Sequence, residues 1–482
     1  MTPLVATPVV AVIAVPAAAV VVLAMVSNYR LGAILNVAFS ALSLAAAVWL
    51  LMAGPFVTEL FLVDDFNIFL ILLNGFVGCT TAIFSATYIG HELEVGRLKP
   101  AFLRLYHAMY QAMMGAMALA LMSNNIGLMW VGIEVATIST VMMVGIYRTP
   151  QALEAAWKYF ILGSVGIALA FLGTIFVYVA AEQQLGGGLT SMAWTNLKAS
   201  AATLDAGLLS LAFVFLLIGY GTKAGLVPLH AWLPDAHAEG PTPVSAVLSG
   251  LLLNVALYAL LRFKILLGGN PATIPGGPVL IALGLISLLF AALMLYRRSD
   301  IKRFFAYSSI EHMGIVAFAF GMGGPLANFA GLLHMTMHSL TKSAIFFAVG
   351  HVAQVTHSQR FADIRGLSSS HPGLAVALAL GVLAIAGLPP FGVFVSEFLV
   401  VTSTFSRQPL LAVPFALGLL LGFGALIWRL QDVLFGRPEA SYARREASLL
   451  PVYIHMILVL IAGLWLPDPV RRWFETVAAQ LG

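Results

Sequence analysis

Apolar stretches long enough to cross a bilayer follow one another along the whole chain, separated only by short loops, and this repetition constrains the fold more than any motif does. A helical span needs about 20 residues, and the strict alternation of a membrane barrel strand is absent. Hydrophobic residues make up 61% of the 482 and charged residues only 9%, too little polar surface to coat a soluble globule. The expected fold class is therefore an all-α integral membrane protein. A sliding reading places fourteen transmembrane helices near 4–26, 32–53, 66–88, 105–122, 126–146, 156–180, 206–230, 242–266, 277–295, 304–321, 326–352, 373–400, 408–428 and 449–466. The N-terminal stretch lacks a basic segment ahead of its apolar part, so it reads as the first span and not as a cleaved signal.

An even span count puts both termini on one side, and the loop cations choose which. With the N-terminus outside, the inner loops hold fourteen basic residues: Arg30, Arg97, Lys99, Arg104, Arg148, Arg297, Arg298, Lys302, Arg303, Arg360, Arg365, Arg437, Arg444 and Arg445. The outer side holds six: Lys198, Arg262, Lys264, Arg407, Arg471 and Arg472. The positive-inside rule then puts both termini on the outer face. The net charge of +4 is spread over short loops, which gives no basis for nucleic-acid binding. The single cysteine, Cys79, permits no internal disulfide and no cysteine cluster, so it reads as a small buried residue.

Two spans carry prolines in matching strings, Ala224-Gly225-Leu226-Val227-Pro228 in the seventh and Ala386-Gly387-Leu388-Pro389-Pro390 in the twelfth. Proline removes an intrahelical hydrogen bond, so both spans are expected to break, and freed backbone groups in a bilayer need protein or water partners. Paired breaks five spans apart imply two five-helix repeats, spans four to eight and nine to thirteen, inserted with inverted topology because five is odd. The chain then divides into an N-terminal three-helix segment at 1–104, a first repeat at 105–268, a second at 273–433, and a C-terminal helix and tail at 434–482.

An ionisable side chain at mid-membrane is costly and marks a functional candidate. Glu134 sits in the fifth span and Lys223 just before the break of the seventh. Pairing restores charge to two groups that burial would neutralise, so this couple has a proton affinity that depends on partner distance. In the eleventh span His334, His338 and Lys342 recur at i, i+4 and i+8, roughly 6 Å apart along a helix and bridgeable by water, the geometry of a proton wire. Two histidines at i and i+4 also suit a metal, but the glutamate that zinc proteases place after the first is Met335 here, and no metal is expected. Glu397 follows the double proline of the twelfth span, where a broken helix admits water and suits a gate. Weaker candidates are Lys158 near a membrane edge, Glu311 and His312 in the tenth span, and His230, Asp235 and His237 in the loop after the first break.

The string Lys223-Ala224-Gly225-Leu226-Val227-Pro228-Leu229-His230-Ala231-Trp232-Leu233-Pro234-Asp235-Ala236-His237, followed by Pro241-Thr242-Pro243-Val244-Ser245-Ala246, resembles the signature of the antiporter-like proton-pumping subunits of respiratory complex I. That superfamily includes membrane-bound nickel-iron hydrogenases and multisubunit cation/proton antiporters. The resemblance runs from roughly residue 60 to 435. Within it, Asp300-Ile301-Lys302-Arg303 and Ala306-Tyr307-Ser308-Ser309-Ile310-Glu311-His312-Met313-Gly314 look most like the F-type membrane component of hydrogenase-4 complexes. The resemblance implies that Glu134 is the family's fifth-helix glutamate, Lys223 its seventh-helix lysine, His334, His338 and Lys342 its central relay, and Glu397 its terminal group. One departure is Asn254, where many members carry an eighth-helix lysine; Asn cannot hold a proton, which puts a lysine-to-lysine relay in doubt.

The function implied is that of a proton-translocating subunit of a complex I-like or hydrogenase-4-like oxidoreductase in a prokaryotic inner membrane. Protons are the expected ion and Na+ the second candidate. No cofactor is expected in this chain; iron-sulfur, nickel-iron or quinone chemistry would belong to a peripheral redox module, and other membrane subunits would be its neighbours. The competing readings are a module of a multisubunit cation/proton antiporter and a membrane partner in an inorganic-carbon uptake complex.

Overall fold

The computed structural model describes residues 3–436 and 448–482, so the loop cations Arg437, Arg444 and Arg445 lie outside the described residues. The chain is a helical bundle: α1 (Pro3–Met25), α2 (Tyr29–Ala53), α3 (Asp65–Glu94), α4 (Leu103–Met122), α5 (Ile126–Val144), α6 (Pro150–Leu185), α7 (Trp194–Ser200), α8 (Ala206–Lys223), α9 (Leu233–Glu239) and α10 (Thr242–Val247). A π-helical turn over 248–252 joins α10 to α11 (Leu253–Gly268). Then follow α12 (Gly276–Leu295), α13 (Ile301–Met322), α14 (Gly324–Thr356), α15 (Leu367–Ser370), α16 (Pro372–Ile385), α17 (Gly392–Arg407), α18 (Pro409–Leu434), α19 (Leu450–Leu464) and α20 (Asp468–Gln480). The only sheet among the described residues is a two-stranded hairpin, Phe56–Val57 with Leu62–Val63.

Local sequence sets the helix starts. Asp64 and Asn67 form a reciprocal capping box on α3, Asn125 caps α5, Thr149 caps α6 with Pro150 behind it, and Asp205 and Asp300 cap α8 and α13. Nine helices among the described residues are long and apolar enough to cross a membrane alone. Those that fall short include α4, α13 and α14. These carry polar side chains turned inward, and nearly every residue of α13 and α14 is buried. A central helix faces protein instead of lipid, so its hydropathy understates its depth. The stretch read as a tail holds α20, bent 79° from α19. Its apolar face lies on the bundle, with Phe474 edge-on to Phe69 and the Trp473 indole donating to the Asp65 carbonyl, while Arg471 and Glu475 face out.

The two proline-bearing spans break with the same backbone geometry. At the end of α8 the Leu226 N–H bonds the Gly221 carbonyl and the Gly225 N–H the Thr222 carbonyl; at the end of α16 Leu388 bonds Leu383 and Gly387 bonds Ala384. Both are Schellman caps, and in both the residue in the left-handed region is glycine, Gly225 (φ 74°) and Gly387 (φ 70°). The shared Ala-Gly-Leu string encodes the cap, and the prolines that follow prevent the helix from resuming. Freed polar groups are satisfied inside the bundle: Val227 N–H donates to Ser287 Oγ, and the Trp232 indole to the Thr222 carbonyl.

The helix α14 is the hub, packed against α3, α10, α13, α16, α17, α19 and α20. Two residues counted as loop cations are instead interior. Arg262 is buried on α11, pairs with Asp64 at 2.7 Å, bonds the Tyr258 hydroxyl and lies over the Trp194 ring. Burial alone would raise the Asp64 carboxyl, but the Arg262 charge and its hydrogen bonds win and hold it below the ordinary range. Lys302 is buried in the first turn of α13, where its ammonium donates to the Ala238 and Gly240 carbonyls and so closes the end of α9. A long side chain lets a loop-flanking cation reach inward, which a count by position misses.

Candidate functional site: a buried file of titratable groups

The first group forms where α5, α6 and α8 meet. Lys223 ends α8 one residue before the break and is 2% exposed; its ammonium donates to Thr137 Oγ1 at 2.9 Å and stands 4.0 Å from Glu134 Oε2. The Thr137 hydroxyl is itself spent on the Ile133 carbonyl, so it is held as an acceptor for the lysine. Tyr159 closes the other side: Lys223 lies over its ring, which stacks on Trp232 at 4.2 Å. Gly163 of α6 backs the ammonium, and a β-carbon there would contact Nζ at 2.7 Å. The expected Glu134–Lys223 couple is present as an ion pair at its outer limit, with no hydrogen bond to Glu134 Oε2. Glu134 is 18% exposed, on a face of α5 where Val131, Val135, Ile138 and Met142 are also uncovered.

Between this group and the second lie hydrogen bonds among uncharged side chains. Asn254 donates to Ser339 Oγ at 2.7 Å, joining α11 to α14, and Ser339 in turn bonds the Gly250 carbonyl. One turn earlier, Ser249 and Ser309 share a hydrogen bond at 2.7 Å between the π-turn and α13. The π-turn opens the helix where these hydroxyls meet.

The second group is assembled by α13, α14 and α17 with α18 behind it. Lys342 is fully buried and donates to the Phe305 carbonyl at 3.0 Å. Glu311 lies within electrostatic reach of both Lys342 and Glu397, its carboxylate fitted against Gly422 of α18, where a β-carbon would collide with it. His312 Nδ1 is 2.9 Å from His334 Nε2 and 3.9 Å from Glu397 Oε1. His334 Nδ1 meets Ser396 Oγ at 2.9 Å, and the Ser396 hydroxyl is committed to the Val393 carbonyl. Ser396 therefore accepts, His334 carries its proton on Nδ1, and its Nε2 lone pair receives the His312 Nδ1–H. Glu397 folds back so that its carboxylate occupies the space a β-carbon on Gly387 would need.

Among the described residues no direct hydrogen bond joins His334, His338 and Lys342 along their own helix. His334 bonds across to His312 on α13, a side chain the sequence ranked second, as well as to Ser396, while His338 stacks on His312 at 5.6 Å with neither nitrogen hydrogen-bonded among the described residues. Among the other candidates, Lys158 is exposed and bonded to Glu154 and Asp235, and Asp235 also pairs with Arg303 at 2.7 Å. His237 is fully buried against Phe346, within reach of Lys302 and Lys342. His230 packs edge-on to Phe290. Sequence reasoning missed Thr137 and Ser396, and the available signal was spacing: Thr137 lies one turn beyond Glu134, and Ser396 directly precedes Glu397.

A polytopic bundle with two matching helix breaks and a file of Lys, Glu and His across its interior defines an antiporter-like membrane subunit. The chain matches the model of the NADH:quinone oxidoreductase/Mrp antiporter transmembrane family over residues 123–422 and belongs to that family. It is 60% identical over 471 residues, 98% of this chain and 99% of the relative, to a hydrogenase-4 component F homolog of Methylacidiphilum infernorum. It is 30% identical to subunit M of the NADH-quinone oxidoreductase of Escherichia coli K12 over 326 residues, 66% of this chain and 62% of that one. Its fold superposes on a chain of an archaeal membrane-bound sulfane sulfur reductase with a TM-score of 0.88 at 21% identity, covering 98% and 97% of the two chains. On a chain of Thermus thermophilus respiratory complex I the TM-score is 0.82 at 22% identity, covering 98% and 100%.

Proposed function

We propose that this chain translocates protons as a membrane subunit of a complex I-like or hydrogenase-4-like oxidoreductase. The carrying observation is the file itself: Glu134, Lys223, Lys342, Glu311, His312, His334 and Glu397 are drawn from five helices to the bundle interior, where isolated charges are costly. Glu134 and Lys223 hold a proton between them. At 4.0 Å their attraction is roughly 4 kcal/mol at an effective dielectric of about 20, enough for partner distance to decide who keeps it. The Ser249–Ser309 and Asn254–Ser339 contacts bridge to Lys342, and because Asn holds no proton, water must carry the step. From Lys342 the proton passes by Glu311 to the His312–His334 couple and leaves through Glu397. Charge at the first group biases the second, since the same expression exceeds 1 kcal/mol for any two unit charges within about 12 Å.

The partly exposed Glu134 carboxylate on an apolar face marks where a neighbouring membrane subunit seats, because lipid gives it no hydrogen bond. Redox chemistry then belongs to partner subunits. Both termini are assigned to the outer face of the inner membrane; a tag at either end should be reached by a membrane-impermeant reagent from outside, and cytoplasmic protection of one terminus would remove the inverted-repeat reading. The functional test is reconstitution of the assembled complex with Lys342→Arg. Arg does not release its proton at accessible pH, so redox turnover should continue only with translocation lost. Wild-type pumping in that variant would refute the path.

A further inference from the structure

Within the second group one ligand atom each from His312, His334 and Glu397, on three different helices and all on buried residues, lie within 4.8 Å of one another, with His312 Nδ1 2.9 Å from His334 Nε2 and 3.9 Å from Glu397 Oε1. We propose that this triangle binds a first-row divalent transition metal of the Zn2+ class, and that its occupation blocks proton transfer through the second half of the chain. The second clause rests on the translocation reading above; the first does not.

Two imidazoles and a carboxylate suit Zn2+ or Co2+, and the site is not the i, i+4 histidine pair that the sequence offered. Metal–nitrogen bonds of about 2.0–2.1 Å at tetrahedral angles set ligand atoms about 3.3–3.5 Å apart. The His312–His334 separation of 2.9 Å must open by about half an ångström, and the His312–Glu397 separation of 3.9 Å must close by a similar amount. Both are side-chain adjustments. Ser396 already supplies the outer contact that metal-bound histidines use: by accepting from His334 Nδ1–H it fixes the tautomer and turns the Nε2 lone pair into the triangle. His312 must move its proton to Nε2 to bind through Nδ1, and Nε2 is free of hydrogen bonds, with the Ile385 carbonyl beside the ring as an acceptor. His338 stacks on the face of the His312 ring and is not one of the three ligands.

Charge closes as well. Glu397 in the triangle and Glu311 within reach of it balance a divalent ion, which then repels a proton on Lys342, the other charge near Glu311. A bound metal thus takes the lone pairs that pass protons and opposes the loading of Lys342. Glu397 is the ligand with the most exposure, 12% of its side chain against 2% for His312, and provides the way in.

The test uses the assembled complex with Co2+ as probe. One tetrahedral Co2+ absorption signal per copy of this chain, displaced by Zn2+, is expected. His312→Gln or Glu397→Gln should weaken it at least tenfold, while His91→Gln with His357→Gln, which removes histidines from a separate surface cavity, leaves it unchanged. X-ray absorption of the Zn2+-loaded wild type, which needs no variant to fold, should show two imidazole nitrogens and oxygen. No displaceable signal, a signal that survives His312→Gln with His334→Gln, or a shell without imidazole would overturn the site and leave the translocation reading standing. A site confirmed by these readouts in a complex that pumps normally at saturating Zn2+ would overturn the block and count against a path through these histidines.

Discussion

The two halves of the molecule share a backbone device and differ in what they put beside it. Each has a helix ended by a Schellman cap on glycine, and each sets an ionisable side chain against that break, but by opposite routes. In the first half Lys223 is the last residue of the helix leading into the break. In the second Glu397 comes from the helix leading out of it and folds back over Gly387. The group at the first break pairs one cation with one anion, Lys223 with Glu134, and the anion is partly at the surface. The group at the second gathers Lys342, two glutamates and three histidines, all buried. The difference teaches that the break is a reusable way of giving an ionisable group backbone dipoles and space, while the number of groups behind it sets how far a proton travels inside one chain.

If the second half is the longer internal relay, Lys342, the lysine of its buried group, is the most sensitive position. Lys342→Ala should abolish translocation in proteoliposomes while the complex still assembles. The loss should exceed what packing explains, because Lys342→Met, which fills the same volume, should fail equally. Translocation retained above about a tenth of wild type in the methionine variant would make Lys342 a packing residue and erase the contrast.

Lys223→Ala and Glu134→Gln come next. The lysine has a second partner in Thr137, so Glu134→Gln leaves its ammonium hydrogen-bonded and should slow translocation by roughly tenfold or more without unfolding the chain, in line with a coupling of a few kcal/mol. Lys223→Ala should stop it. Equal effects of the two changes on assembly, with normal pumping per assembled complex, would show a structural pair instead.

His312→Gln sharpens the cross-helix wiring. Gln keeps a donor near His334 Nε2 but holds no exchangeable charge, so a loss of about tenfold is expected, against a smaller one for His338→Gln, whose ring makes no hydrogen bond. The reverse order would restore the wire along α14.

Much of this was legible in the sequence. Apolar runs gave the membrane class, and Ala-Gly-Leu-x-Pro located both breaks, because a Schellman cap is a local motif written in consecutive residues. Glu134, Lys223, Lys342 and Glu397 stood out because charge in an apolar run is rare. What was not legible depends on which helices meet. His312 and Glu311 sit in α13 near a basic loop and look peripheral until α14, α17 and α18 close around them. Arg262 and Lys302 flank loops in sequence yet turn inward, which a positional count of cations cannot see.

The smallest effect is expected where the halves join. Asn254 holds Ser339 across the join through a 2.7 Å hydrogen bond and bonds the Gly250 carbonyl of the preceding turn at 3.1 Å, while its side-chain oxygen has no partner among the described residues, so it stores no proton. Losing the bond that crosses from α11 to α14 costs about 1 kcal/mol, which puts the loss in Asn254→Ala at about fivefold if the residue only steadies the two helices. Ser339 keeps its own bonds to the Gly250 and Met335 carbonyls, so the helices stay in register. Asn254→Lys separates the remaining alternatives. A lysine here adds a proton store between Lys223 and Lys342, and if the connection runs through this position, translocation should survive and exceed that of Asn254→Ala. If water passes instead along Ser249 and Ser309, the added ammonium lies off the route and acts only by repelling charge on Lys342, so Asn254→Lys should fall below Asn254→Ala. Stopped-flow proton uptake by the two variants side by side decides it. A complete block by Asn254→Ala would overturn both versions, because it would make an uncharged amide indispensable to the join.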